Sequence, residues 1–148
     1  MTKTKWMIAA AVSAAVLAAA TVFAVFVLGT GDGAATTADG IVTAIHPDGR
    51  VEWTDARFVK AEDNGSMAQP VPGTAHQAVL AGDAKISTGV GDWCASAAAA
   101  GLAIGPDGAG SNPCTRAEFL AATPDRLYAV KITVKGDAVT RIAEYYHP

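Results

Sequence analysis

The sequence predicts a mainly β protein: a small antiparallel, OB-like, partly closed barrel with one short helix, preceded by an N-terminal transmembrane helix. Three observations carry this. One stretch near the C-terminus alternates apolar and polar residues cleanly, other short apolar runs are separated by Pro- and Gly-containing turns, and a single capping box marks one helix start. Ahead of them stands a charge-free run, residues 7–28, in which only Ser13 and Thr21 are polar. As a helix, that run spans about 33 Å, enough to cross a bilayer core.

The run divides the chain of 148 residues into a leader (1–28), a flexible linker (29–39) and a β-domain (40–148). Lys3 and Lys5 precede the run, so the positive-inside rule places the domain outside the cytoplasm. The run exceeds the apolar core of about 7–15 residues usual in a secretory signal, as an uncleaved signal anchor does. Gly33-Ala34-Ala35 offers small residues for cleavage, so a secreted product is the alternative. No Cys ends the run, and a lipid-modified terminus is not expected. The whole chain has 11 basic and 14 acidic side chains; without Lys3 and Lys5 the remainder holds 9 against 14, net −5. Nucleic acid and anionic lipid headgroups call for the opposite balance.

Residues 41–45 (IVTAI) and 50–60 (RVEWTDARFVK) read as a hairpin around His46-Pro47-Asp48-Gly49, where Pro presets φ and Gly accepts a positive one. Val51 and Trp53, then Ala56 and Phe58, form the inward set, and the change of parity at Thr54-Asp55 predicts a β-bulge. Residues 61–75 (AEDNGSMAQPVPGTA) read as a loop, and 76–80 and 84–88 as short strands around Gly82-Asp83. The least regular stretch, 89–113, has Cys94 and Cys114 at its margins. Outside the cytoplasm two cysteines in one small domain are expected to pair, stabilising the fold by about 3 kcal/mol through loop closure. Residues 95–100 read as a helical turn.

Thr115-Arg116-Ala117-Glu118 is the capping box, and the helix ends before Pro124. Residues 127–135 then alternate, with Tyr128, Val130, Ile132 and Val134 on one face. Gly136-Asp137 is a two-residue turn. Pairing across it sets Val134 opposite Val139, and a bulge beyond is needed to bring Ile142 inward.

The final hairpin, 128–148 (YAVKITVKGDAVTRIAEYYHP), resembles the C-terminus of an uncharacterised family of small secreted or membrane-anchored actinobacterial proteins. Their ending is similar: an aromatic strand, a Lys-Asp-Gly-like turn, then a Val-Thr-x-Ile strand closing on Glu, an aromatic residue and Pro. Residues 40–59 resemble their first hairpin. The Tyr- and Asn-rich middle segment of those relatives is replaced here by the region between the cysteines. The resemblance implies export and a β-rich fold, and transfers no active site.

Candidate chemistry is sparse. His46, His76 and His147 lack the paired spacing of metal ligands, and Glu144 and His147 fall on opposite faces of a strand. Asp107, Ser111 and Asn112 lack the regular ladder and closing Glu of a calcium loop. No G-x-S-x-G elbow is present, and the cysteines are assigned to a disulfide rather than catalysis. No catalytic residue, metal or cofactor is therefore assigned. Trp53, Phe58 and Tyr128 are expected in the core. Trp93, Asp92 and Tyr146 are the candidate ligand contacts. The function expected is a non-enzymatic binding or accessory module of the cell envelope, meeting an envelope protein or cell-surface ligand. The alternatives are a secreted hydrolase with its site in 61–75 and 89–113, and an OB-type carbohydrate or ligand binder.

Overall fold

The structure, a computed structural model, describes residues 33–62, 65–91, 93–122 and 128–146. The apolar run at 7–28 lies outside the described residues; within them no helix is long and apolar enough to cross a membrane. Six strands form one sheet: β1 (Thr36–Ile45), β2 (Arg50–Lys60), β3 (Ser66–Thr88), β4 (Asn112–Pro113), β5 (Tyr128–Lys135) and β6 (Ala138–Glu144). Two short helices, α1 (Ala95–Ala98) and α2 (Arg116–Ala121), lie in the connection from β3 to β5. The strand order is β2-β1-β5-β6-β3-β4, and β2 also pairs with β3. The pairings therefore run β1-β2-β3-β6-β5 and back to β1, so the sheet is partly ring-like.

The pairing is not wholly antiparallel, as the sequence reading had it. β6 lies parallel to β3, with Val79 opposite Ala138 and Ile86 opposite Ile142. A parallel pair needs a long crossover, and the irregular stretch after Thr88 provides it. At the other end of the ring, β1 starts at Thr36, inside the expected linker, because 36–39 pair with 131–134 of β5.

β3 replaces the expected loop from Ser66 onward, and the two short strands after it, with a single strand of 23 residues. Its first part pairs with β2 from Lys60↔Ser66 to Arg50↔Val79. Pro72 and Gly73 escape the ladder in an excursion, 71–74, between the pairs Ala56↔Pro70 and Thr54↔Ala75. There the Thr74 hydroxyl donates to the Val71 carbonyl at 2.7 Å and accepts from the Asp55 N–H at 3.0 Å. A side chain thus satisfies backbone groups that the interrupted ladder leaves over. This is the irregularity expected at Thr54-Asp55. Gly82-Asp83 makes no reversal; it lies where pairing with β6 lapses between Leu80 and Lys85.

The β5–β6 hairpin follows its sequence closely. Val134 faces Val139, the register then shifts, and Ile132 faces Ile142. Inside the ring, Val42, Val51, Trp53, Leu80, Val130, Ile132, Val139 and Ile142 are buried together. Phe119 from α2 joins this core fully buried, with the Trp93 ring edge-on at 5.2 Å. Tyr128 closes the same end, 5.2 Å from Trp93. Phe58 departs from expectation: it is 38% exposed. β2 parts from β1 after Asp55, so Phe58 has no interior to enter and stands edge-on to Tyr145 at 4.9 Å.

β1 crosses the Trp53 indole at Gly40, where an added Cβ would lie 2.9 Å from Trp53 Cδ1 and 3.1 Å from the Thr54 carbonyl oxygen. Trp53 cannot retreat, being buried and stacked on His76 at 5.3 Å. Gly40→Ala is expected to lower the unfolding free energy by about 1–3 kcal/mol, the usual cost of overpacking. Urea denaturation of the variant would measure it, and an unchanged midpoint would contradict this packing.

Candidate functional site

The crossover after β3 contains few large apolar side chains, and specific bonds hold it instead. Cys94 and Cys114, separated by 20 positions in the sequence, form a disulfide with Cα atoms 5.7 Å apart. Cys94 is buried at the start of α1, and the Cys114 amide donates to the Ile86 carbonyl at 2.9 Å. The buried Asn112 carboxamide donates to the carbonyls of Gly89 at 3.1 Å and Gly101 at 2.6 Å, tying two passes of the crossover together.

Glu118 completes this frame. It forms the expected capping box with Thr115, and its carboxylate also accepts from the backbone N–H and hydroxyl of Ser96, each at 2.9 Å. One side chain thereby caps α2 from within and α1 from outside, where Cys94 supplies no side-chain cap. Hydrogen bonds from Thr115 and Ser96 hold the Glu118 carboxyl down at about 2. Arg116 anchors the same helix to β3 by donating to the carbonyls of Leu80 at 3.0 Å and Ala81 at 2.8 Å.

So held, the crossover forms one wall of an open groove of about 670 Å³. β3 and β6 supply the other wall through Lys85, Ile86, Ser87 and Arg141. Gly105-Pro106-Asp107-Gly108 turns back on itself, with the Gly105 amide donating to the Ala109 carbonyl at 2.8 Å. That turn presents Asp107 to two cations: Arg141 contacts Asp107 Oδ2 at 3.2 and 3.3 Å, and Lys131 Nζ approaches the same oxygen at 3.3 Å. Burial raises the Asp107 pKa, but hydrogen bonds from Lys131, Arg141 and the Ala109 amide outweigh it and hold the carboxyl below its ordinary range. Lys131 also lies over the Tyr145 ring, 5.6 Å from its centroid, and Tyr145 donates its hydroxyl to Asp39 at 2.6 Å. The groove floor is close-packed at Gly110, where a Cβ would come 2.1 Å from the Thr88 carbonyl carbon.

The Ser87 hydroxyl donates to the Gly110 carbonyl at 2.7 Å, and no histidine is among the residues lining the groove. Asp107, already ion-paired, is a poor general base.

The sequence candidates scatter around this groove. The cysteines pair as expected. Trp93 is 3% exposed and belongs to the core, so it offers no contact surface. Asp92 lies outside the described residues, as does His147. Tyr146 is half-buried against Gly89 and does not line the groove. His46 meets Glu52 at 2.8 Å, whereas His76 meets Asp55 at 2.9 Å. No group of three or more His, Cys, Asp or Glu able to hold a metal occurs among the described residues. Glu144 is buried and accepts a hydrogen bond from the buried Thr88 hydroxyl, which in turn accepts from the Gly91 amide at 3.0 Å. Lys85, Lys131 and Arg141 were not singled out from the sequence. Lys85 and Lys131 are marked as outward-facing by alternation with their apolar neighbours, whereas Arg141 shares the parity of Val139 and turns outward only through the register shift after it.

Searches against protein-family models, curated proteins and solved structures find no match for this chain.

Glu118 gives the frame a pH dependence. Its folded pKa lies below the ordinary value of 4.5, so its contribution to stability is complete above 4.5 and is lost as the pH falls towards about 2. The melting temperature of Glu118→Gln is expected to lie below that of the parent near neutrality, with the gap narrowing through that acid window. Parallel melting curves at each pH would measure the gap; a constant gap would contradict the role given to the carboxylate.

Proposed function

We propose that this chain is a membrane-anchored, extracytoplasmic β-domain that binds a partner protein or cell-surface ligand of the envelope without transforming it. The observation that carries the reading is the groove itself. A crossover with few large apolar side chains is fastened by a disulfide, a shared helix cap and a buried Asn into a fixed wall, in which Asp107 and Asn112 are engaged in bonds within the fold. The leader and its two lysines support export and anchoring, as does the resemblance of the last hairpin to exported actinobacterial proteins.

We read the partly ring-like sheet as an OB-type barrel. Support comes from the adjacency β1-β2-β3-β6-β5 and the parallel pair, together with a helix between β3 and β5 whose Phe119 fills one end. The hydrolase reading loses most of its first loop, because 66–75 belong to β3, and Ser87 and Asp107 in the groove are already engaged. A carbohydrate face built on Trp93 loses its main aromatic to the core.

The intact mass of the native protein from its host tests the anchor. The full-length mass is expected in the membrane fraction; a mass lacking about the first 35 residues, as a small-residue cleavage site gives, would mean a released protein. A photo-crosslinker placed at the exposed Ser111 in the full chain tests the binding function. Discrete adducts with an envelope component are expected. Substrate turnover abolished by Ser87→Ala in a folded protein would overturn the reading.

A further inference from the structure

We propose that the groove between β3, β6 and the crossover is a carboxylate-binding subsite for an acidic peptide segment of a partner, and that Asp107 occupies part of it as an internal competitor. The inference rests on the binding function proposed above and names its ligand chemistry.

Three cations converge on this place. Lys85 and Arg141 are cross-strand neighbours in the parallel β3·β6 register, and both line the groove. Lys131 reaches Asp107 from β5. Asp107 answers only part of this charge. Both Arg141 terminal nitrogens converge on its single Oδ2 at 3.2 and 3.3 Å, rather than forming the parallel two-oxygen fork that a guanidinium makes with a well-placed carboxylate. Oδ1 instead faces the Ala109 amide at 3.4 Å. Lys85 has no ion-pair partner among the described residues. The groove therefore combines an under-used guanidinium, an uncompensated ammonium and a carboxylate on a turn that leans into the site.

Charge outside the groove selects the source of the anion. The chain beyond the leader carries 9 basic and 14 acidic side chains, net −5, which repels extended polyanions such as nucleic acid and anionic bilayers. A peptide carrying one or a few carboxylates meets the local cations without having to cover that acidic surface. The lining can admit a main chain beside the charged groups, since Ala84, Gly105, Ala109, Gly110 and Ser111 contribute only small side chains to it.

The test is an amide chemical-shift titration of the ¹⁵N-labelled full chain in zwitterionic micelles. The probes are an N-acetylated tri-glutamate peptide, the matching tri-glutamine amide, inorganic phosphate and vesicles of anionic phospholipid. Saturable shifts are expected with tri-glutamate alone, concentrated at 84–87, 105–111 and 141. Lys85→Gln and Arg141→Gln should each weaken binding about threefold, the effect of removing one exposed charge contact. Asp107→Asn retains the Oδ1 acceptor for the Ala109 amide and should tighten binding by a similar factor. Three results would each overturn the inference: no saturable shifts with tri-glutamate, tighter binding of phosphate or vesicles, or an affinity that falls or stays unchanged in Asp107→Asn. Shifts at the same groove with tri-glutamine would overturn the carboxylate assignment and leave the binding function standing. Failure of the Ser111 crosslinker to yield an adduct would count against the binding function itself.

Discussion

The parallel pairing of β3 with β6 is the constraint from which the rest of this structure follows. Two parallel neighbours cannot be joined by a tight turn, so the chain must leave β3 at Thr88 and travel before the β5–β6 hairpin brings β6 alongside. β3 can serve both sides of the sheet because it is long, with its first part on β2 and its last part on β6 and β4. The same pairing sets Lys85 beside Arg141 and leaves the crossover lying over that junction.

A crossover must be held down, and this one has little greasy surface with which to do it. Beyond Trp93 and Phe119 its side chains are mostly small or polar; Leu102 and Ile104 point outward, 54% and 44% exposed. Directed bonds take over. Loop closure by the disulfide is worth about 3 kcal/mol, a large share of the roughly 5–15 kcal/mol by which a typical domain is stable. Glu118 adds caps for two helices that are too short to stand alone. The consequence is an opening: a segment fixed by side-chain bonds at its edges can leave its middle open, and the groove lies there.

The sequence announced what depends on local pattern. The β5–β6 hairpin is written in the alternation of Tyr128 to Val134 and the Gly136-Asp137 turn, down to the shift that brings Ile142 inward. Thr115 and Glu118 declare their cap by spacing, and Cys94 and Cys114 form the bond expected of them. What depends on distant partners stayed hidden. The prolines at 70 and 72 read as a loop because nothing local shows that Thr74 and Asp55 hold an excursion while the strand continues. Phe58 looked like a core residue because its parity is right, yet β1 has already left β2 there. Trp93 looked like a surface residue because its neighbours are irregular, although Phe119 and Tyr128 converge on it from elsewhere in the chain. The groove was invisible for the same reason: Lys85, Asp107 and Arg141 become neighbours only through a parallel register.

Backbone amide hydrogen exchange of the full chain, oxidised and then reduced, tests this account most directly. The amides of Gly105, Gly108, Gly110 and Ser111 all donate within the crossover or from it to β6, whereas those of β5 and β6 belong to a ladder that does not need the disulfide. Reduction is expected to strip protection from the first set while the second keeps most of its own, as separate cooperative units do. Unchanged protection in the crossover after reduction, or its simultaneous loss from both sets, would contradict the claim that the Cys94–Cys114 bond makes a groove wall out of the crossover.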